Sequence, residues 1–160
     1  MKRIIVFGNS ASGKSSLAKK LSLIHKLAHL DLDTLAWQLD ADVPKRASLA
    51  NSKKVIDSFI QGNDNWVIEG CYADLLSLVT KESTQAYFMD LPISECIENA
   101  KKRPWEPHKY ESKQAQDANL NMLIEWIRAY ETREDCFSKQ AHMALYDAFE
   151  REKTRIVRND

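Results

Sequence analysis

The chain has 160 residues, 23 Lys and Arg against 23 Asp and Glu, and 44% hydrophobic residues. That is the size and composition of a single domain over 1–160 with a core of its own. A formal net charge of zero, without a dense Lys and Arg cluster, gives no support to a nucleic-acid surface, and no apolar run reaches the roughly 20 residues of a membrane helix.

The first element is the apolar, β-branched run Ile4-Ile5-Val6-Phe7, which predicts a buried strand and is too short for a secretory signal. Gly8-Asn9-Ser10-Ala11-Ser12-Gly13-Lys14-Ser15-Ser16 follows at once. Two of the four glycines stand here, at the spacing G-x-x-x-x-G-K-[ST]. Glycine at both positions lets successive backbone N–H groups turn inward toward phosphate oxygens, and the N-terminus of the next helix adds partial positive charge. Lys14 then meets the outer phosphates and the Ser15 hydroxyl a magnesium ion. Leu17, Leu21 and Ile24 give the following segment one helical face. A serine-rich helix cap is the plainer alternative, but the strand before and the helix after favour a cradle for a nucleoside triphosphate. The charge distribution agrees: residues 1–30 hold six Lys or Arg and no acid, whereas residues 31–100 hold twelve acids and five bases.

Further along, Ala28 to Leu30 predicts a second strand, Ser48 to Gln61 a helix, Trp66 to Ile68 a third strand and Ala86 to Met89 a fourth. Pro92 marks a turn into a helix over 94–102. Leu120, Leu123, Ile124, Ile127 and Tyr130 recur at helical spacing within 117–130, Ala141 to Phe149 reads as another helix, and Arg155-Ile156-Val157 as a short last strand. Strands alternating with helices call for a parallel sheet covered on both faces, with ligands at the carboxyl ends of the strands. Those ends carry the phosphate loop, then Asp31 and Asp33, then Glu69, Gly70 and Tyr72, then Asp90. Such carboxylates can hold metal-bound water or take a proton from an attacking hydroxyl. Asp31 and Asp33 could equally cap a turn. Glu69, between a buried strand and a glycine, needs a cation or a hydrogen-bond partner. Cys71, Cys96 and Cys136 are odd in number and widely spaced, which fits packing thiols in a reducing cytoplasm better than a disulfide framework or a zinc site.

These stretches, GNSASGKSS after MKRIIVF, then HLDLDTLAW, WVIEGCY and FMDLPISECIENAKKR, resemble the adenylate-kinase-like and shikimate-kinase-like P-loop phosphotransferases. More narrowly they resemble small bacterial proteins described as DNA topology modulation (FlaR-related) proteins. The likeness spans most of residues 1–105. It implies the α/β P-loop NTPase fold: a five-stranded parallel sheet in the order 2-3-1-4-5, helices on both faces, and a short lid around 103–117. It implies ATP and Mg²⁺ as cofactors and a phosphoryl acceptor that is a small molecule or nucleotide, in a cytoplasmic monomer or homodimer. A P-loop NTPase module that hydrolyses or senses nucleotide to regulate a partner is the alternative activity.

Carried over residue by residue, the resemblance implies that Gly8 to Ser16 bind the nucleotide and that Ser15, Asp31 and Glu69 serve the metal. Lys14, Asp33, Glu69 and Arg103 would be catalytic. Lys102 and Arg103 open the lid, with Arg128 and Arg133 as further lid cations. The stretch Arg103-Pro104-Trp105-Glu106-Pro107-His108-Lys109 is shorter and poorer in arginine than a nucleotide-kinase lid, and no shikimate-binding arginine set is evident. On the acceptor side stand Asp33, Trp37, Arg46, Gly70 and Tyr72. Trp37 and Tyr72 either stack on a ligand ring or pack in the rim; Arg46 either meets an anionic acceptor or lies solvated at the surface.

Overall fold

The computed structural model describes residues 1–38 and 45–159. The main sheet has five parallel strands, β1 (Arg3–Gly8), β2 (Ala28–Asp31), β5 (Trp66–Gly70), β6 (Gln85–Met89) and β7 (Glu152–Ile156), in the order β2-β5-β1-β6-β7. Counted within this sheet alone, that is the expected order 2-3-1-4-5. β3 (Trp37–Gln38) and β4 (Lys45–Arg46) form a small antiparallel pair of their own.

Alternation along β1 decides how the helices are shared out. Ile5 and Phe7 point to one face, where they pack with Trp66, Ile68, Phe88, Ile56 of α2 (Leu49–Gln61), Leu75 of α3 (Ala73–Leu76) and Leu145 of α7 (Lys139–Ala148). Ile4 and Val6 point to the other, with Val67, Leu21 of α1 (Lys14–His25), Cys96 of α4 (Ile93–Lys102) and Ile127 of α6 (Leu120–Arg128). A parallel sheet buried on both faces needs apolar side chains in both phases of the strand, and β1 and β5 are buried along nearly their whole length.

Helix starts follow side-chain caps. Ser48, Ser112 and Ser138 accept from the backbone N–H three residues on, opening α2, α5 (Lys113–Ala118) and α7. Several boundaries depart from the sequence reading. The helix expected over 117–130 is two helices, α5 and α6, meeting at Asn119, and the Ser112 cap starts the first of them at Lys113, four residues earlier than the apolar spacing reveals. α7 starts at Lys139 rather than Ala141 for the same reason. β7 begins at Glu152, three residues before the expected Arg155; it is an edge strand, so Glu152, Lys153 and Arg155 can sit in it without burial. No helix among the described residues is long and apolar enough to cross a membrane.

The register aligns the carboxyl ends: Phe7 lies beside Gly70, Gly8 beside Met89 and Asp31 beside Glu69. Every strand-end group named above therefore faces one edge of the sheet.

Candidate active site

The loop after β1 turns where its glycines allow it. Gly8 has φ +153° and Gly13 φ +92°, backbone states that an L side chain rarely adopts. A Cβ on Gly8 would stand 2.4 Å from the Met89 carbonyl oxygen, and one on Gly13 2.8 Å from Asn159 Nδ2. Ala11 also takes a left-handed conformation, φ 60°. Lys14 Nζ donates to the Asn9 carbonyl at 2.6 Å, Asn9 Oδ1 accepts from Ser10 N at 2.8 Å, and Asn9 Nδ2 reaches Ile127 O at 3.3 Å. Asn99 of α4 donates to Ala11 O at 2.9 Å and Asn159 to Ser12 O at 3.3 Å. The loop is thus pinned by α4, α6 and the chain after β7, contacts that sequence spacing cannot reveal. Ser12 Oγ is buried with no protein partner, and Ser16 is exposed on the first turn of α1. A glycine-shaped turn with a buried hydroxyl left over is suited to phosphate oxygens.

The acids gather in front of it. Glu69, only 2% exposed, accepts from Ser15 Oγ at 2.5 Å through one oxygen and pairs with His29 Nε2 at 2.5 Å through the other. These are the partners a buried carboxylate at this position requires. His29 carried no sequence signal, because its only pointer is the register that sets β2 against β5. Asp31 caps the short 3-10 turn at Leu32–Thr34, accepting from Asp33 N at 2.9 Å. Its carboxyl is pushed above the usual range by burial and by the neighbouring charges of Asp33 and Glu69. The capping reading of Asp31 is therefore realised, while the residue also stands among the strand-end acids. Ser15, Glu69 and Asp31 supply hard oxygen donors of the kind magnesium takes, so the donor set fits that ion. Among the described residues no three His, Cys, Asp or Glu side chains form a metal-holding group by themselves. Magnesium usually takes one or two carboxylates and completes its shell with phosphate oxygens and water.

No protein-family model matches the chain, and no curated protein matches it. Solved structures do. A sugar kinase from Janibacter sp. HTCC2649, solved without ligand, matches at 13% identity over 98% of this chain and 85% of its own, with a TM-score of 0.52. An uncharacterized protein from Eubacterium ventriosum matches at 16% identity over 100% and 92%, with a TM-score of 0.50. A shikimate kinase from Aquifex aeolicus matches at 18% identity over 79% and 91%, with a TM-score of 0.47. The likeness is one of fold, a five-stranded parallel sheet with helices on both faces.

A second cluster of side chains is built around Asp33. Tyr72 donates its hydroxyl to Asp33 Oδ1, and Trp37 Nε1 donates to the Tyr72 oxygen at 2.9 Å. Lys109, from the segment after α4, stands 3.0 Å from Asp33 Oδ2 and 3.5 Å from Glu106. Burial would raise the Asp33 carboxyl, but Lys109 and Tyr72 hold it below its ordinary value; burial would lower Lys109, but Asp33 and Glu106 raise it. Lys109 is the functional candidate that the sequence reading passed over inside the quoted lid stretch; its partner lies in a distant turn. Gly70 packs beneath Leu32, where a Cβ would come within 3.0 Å of that side chain.

Among the remaining candidates, Tyr72 takes the packing alternative. Tyr72 is 1% exposed, its ring edge-on to Phe137 and covered by the Arg46 guanidinium at 4.9 Å, so it offers a hydroxyl rather than a face for stacking. Trp37 keeps 37% of its surface exposed. Arg46 is half-buried: it pairs with Asp74 at 3.3 Å and covers the Tyr72 ring, and its Nε is buried without a hydrogen-bond partner. Lys102 is exposed in the last turn of α4, and Arg103 bonds to Glu106 at 3.1 Å. Arg128 pairs with Glu125 at 3.0 Å on the exposed side of α6. Arg133 lies 3.5 Å over the Trp126 ring and bonds Asp135. Each of these three arginines is held by a neighbour of its own segment.

Proposed function

We propose that the protein is an ATP-dependent phosphotransferase that moves the γ-phosphoryl group of MgATP to a hydroxyl of a small-molecule acceptor. The observation that carries this reading is the convergence of a glycine-shaped phosphate loop, Lys14, Ser15, Glu69 and Asp31 with a separate carboxylate, Asp33, whose partners come from the opposite wall. A module that only hydrolyses nucleotide has no need of that second wall.

Backbone N–H groups of Gly8 to Ser16 bind the phosphates, and Lys14 swings from the Asn9 carbonyl to the outer phosphate oxygens. Ser15, Glu69 and Asp31 would hold Mg²⁺, which would supply charge neutralisation at the phosphate oxygens. His29 fixes the orientation of Glu69. Asp33 accepts the proton of the attacking hydroxyl, whose oxygen forms the new bond to the γ-phosphorus. The bond from that phosphorus to the β–γ bridging oxygen breaks, and ADP leaves with the electron pair. Arg103 and Lys109 sit on the segment 103–117, which closes over the reacting groups and excludes water. Positioning and charge neutralisation supply most of the rate in such transfers.

A coupled ADP-release assay across nucleosides, nucleotides and hydroxylated metabolites, each against a water-only blank, tests the reading. Acceptor-dependent release supports it. Release equal to the blank with every acceptor contradicts it.

A further inference from the structure

We propose that the acceptor is a polyhydroxylated molecule carrying no anionic group, of the sugar or polyol class; this rests on the phosphotransferase reading above. The argument is one of charge already spent. Three cations near Asp33 and Tyr72, namely Lys109, Arg46 and Arg103, each have a carboxylate partner already. Lys109 lies between Asp33 at 3.0 Å and Glu106 at 3.5 Å, Arg46 pairs with Asp74 and Arg103 with Glu106. A carboxylate or phosphate on the acceptor would have to take one of these cations from its partner and leave a half-buried carboxylate unpaired beside it. It would also approach the carboxyl of Asp31, two residues from Asp33 and beside Glu69 in the strand register.

What the wall does offer suits hydroxyls. Asp33 and Glu106 are acceptors for O–H donors, and the Tyr72 hydroxyl, already donating to Asp33 and accepting from Trp37, holds Asp33 Oδ1 in place. The exposed indole of Trp37, tied to Tyr72 through its N–H at 2.9 Å, gives a flat apolar surface at the same wall, suited to the C–H face of a ring. In this arrangement Lys109 holds Asp33 until the acceptor hydroxyl arrives at Oδ2. The reaction is the one already written: the hydroxyl oxygen bonds to the γ-phosphorus, its proton goes to Asp33, and ADP departs.

The test measures kcat and KM for four probe classes with MgATP: neutral polyols and sugars (sorbitol, inositol, ribose), an amino sugar (glucosamine), hydroxy acids (gluconate, shikimate) and nucleotides (AMP, CMP). The same panel is run on Lys109→Met. A best neutral or amine-bearing probe that exceeds every anionic probe in kcat/KM by at least about 100-fold, with a KM that falls or holds in Lys109→Met, supports the inference. Preference for a hydroxy acid or nucleotide, or a KM that rises when Lys109 is removed, overturns the inference and leaves the phosphotransferase reading intact. ADP release at the level of the water blank for every probe overturns both.

Discussion

His142 carries a prediction that can be worked through from its surroundings. The ring is fully buried in α7, edge-on to Phe7 and Phe88 at centroid distances of 5.9 and 6.2 Å. Its Nε2–H donates to the Cys71 carbonyl at 2.8 Å, and Nδ1 accepts from the Tyr130 hydroxyl at 2.7 Å. It thereby ties α7 to the backbone just beyond Glu69. Burial opposes the imidazolium and brings the pKa from 6.5 down to about 4. Between those values the unfolded chain takes up a proton that the folded chain refuses, so stability is whole above pH 6.5 and is lost as the pH falls toward 4. At about 1.4 kcal/mol per pH unit, the loss attributable to this one group is about 3 kcal/mol. His142→Gln retains a donor for Cys71 and an acceptor for Tyr130 but does not titrate. Urea unfolding followed by far-ultraviolet circular dichroism, from pH 7 to pH 4, should show the wild type losing about 3 kcal/mol more than the variant. Parallel losses in the two proteins would refute the reasoning.

Three further expectations concern the site. Gly8→Ala brings a Cβ to 2.4 Å from the Met89 carbonyl, so both the melting temperature and MgATP affinity should fall; a variant matching wild type in both would mean that the loop tolerates another backbone path. Asp33→Asn should lower phosphoryl transfer by roughly 10²- to 10⁴-fold, the range of a lost general base, with MgATP affinity by calorimetry kept within a few-fold; transfer at wild-type rate would remove Asp33 from the chemistry. Arg103→Ala should lower kcat more than it raises KM if the lid charge acts on the transition state, and a variant altered in neither would leave Arg103 as the Glu106 partner alone.

What could be read from sequence was what is encoded locally. Gly8 and Gly13 stand where the backbone needs conformations that other residues avoid, so their spacing alone reveals the loop. Strands such as Trp66–Ile68 show as apolar runs because both faces are covered, and their order among helices leads to the sheet. β7 was half hidden because an edge strand tolerates charge, and α5 because its start depends on the Ser112 hydroxyl rather than on apolar periodicity. The two-residue strands β3 and β4 are too short to leave a pattern. Within the site, Glu69 advertised its need for partners but not their identity. His29 and Lys109 are close to Glu69 and Asp33 only after β2 has paired with β5 and the segment after α4 has crossed the cleft. The pairing of Arg46, Arg128 and Arg133 with Asp74, Glu125 and Asp135 depends on rotamers and packing that composition does not carry.

The central claim is transfer to an acceptor rather than to water. It is tested most directly by supplying MgATP labelled in the γ-phosphate, with and without a mixture of hydroxylated acceptors, and separating organic from inorganic phosphate. The account predicts that label appears in an organic phosphate ester when acceptors are present, and that folded Lys14→Ala yields none, because Lys14 is the charge that meets the outer phosphates. Label recovered only as inorganic phosphate, at one rate with or without acceptors, would contradict it.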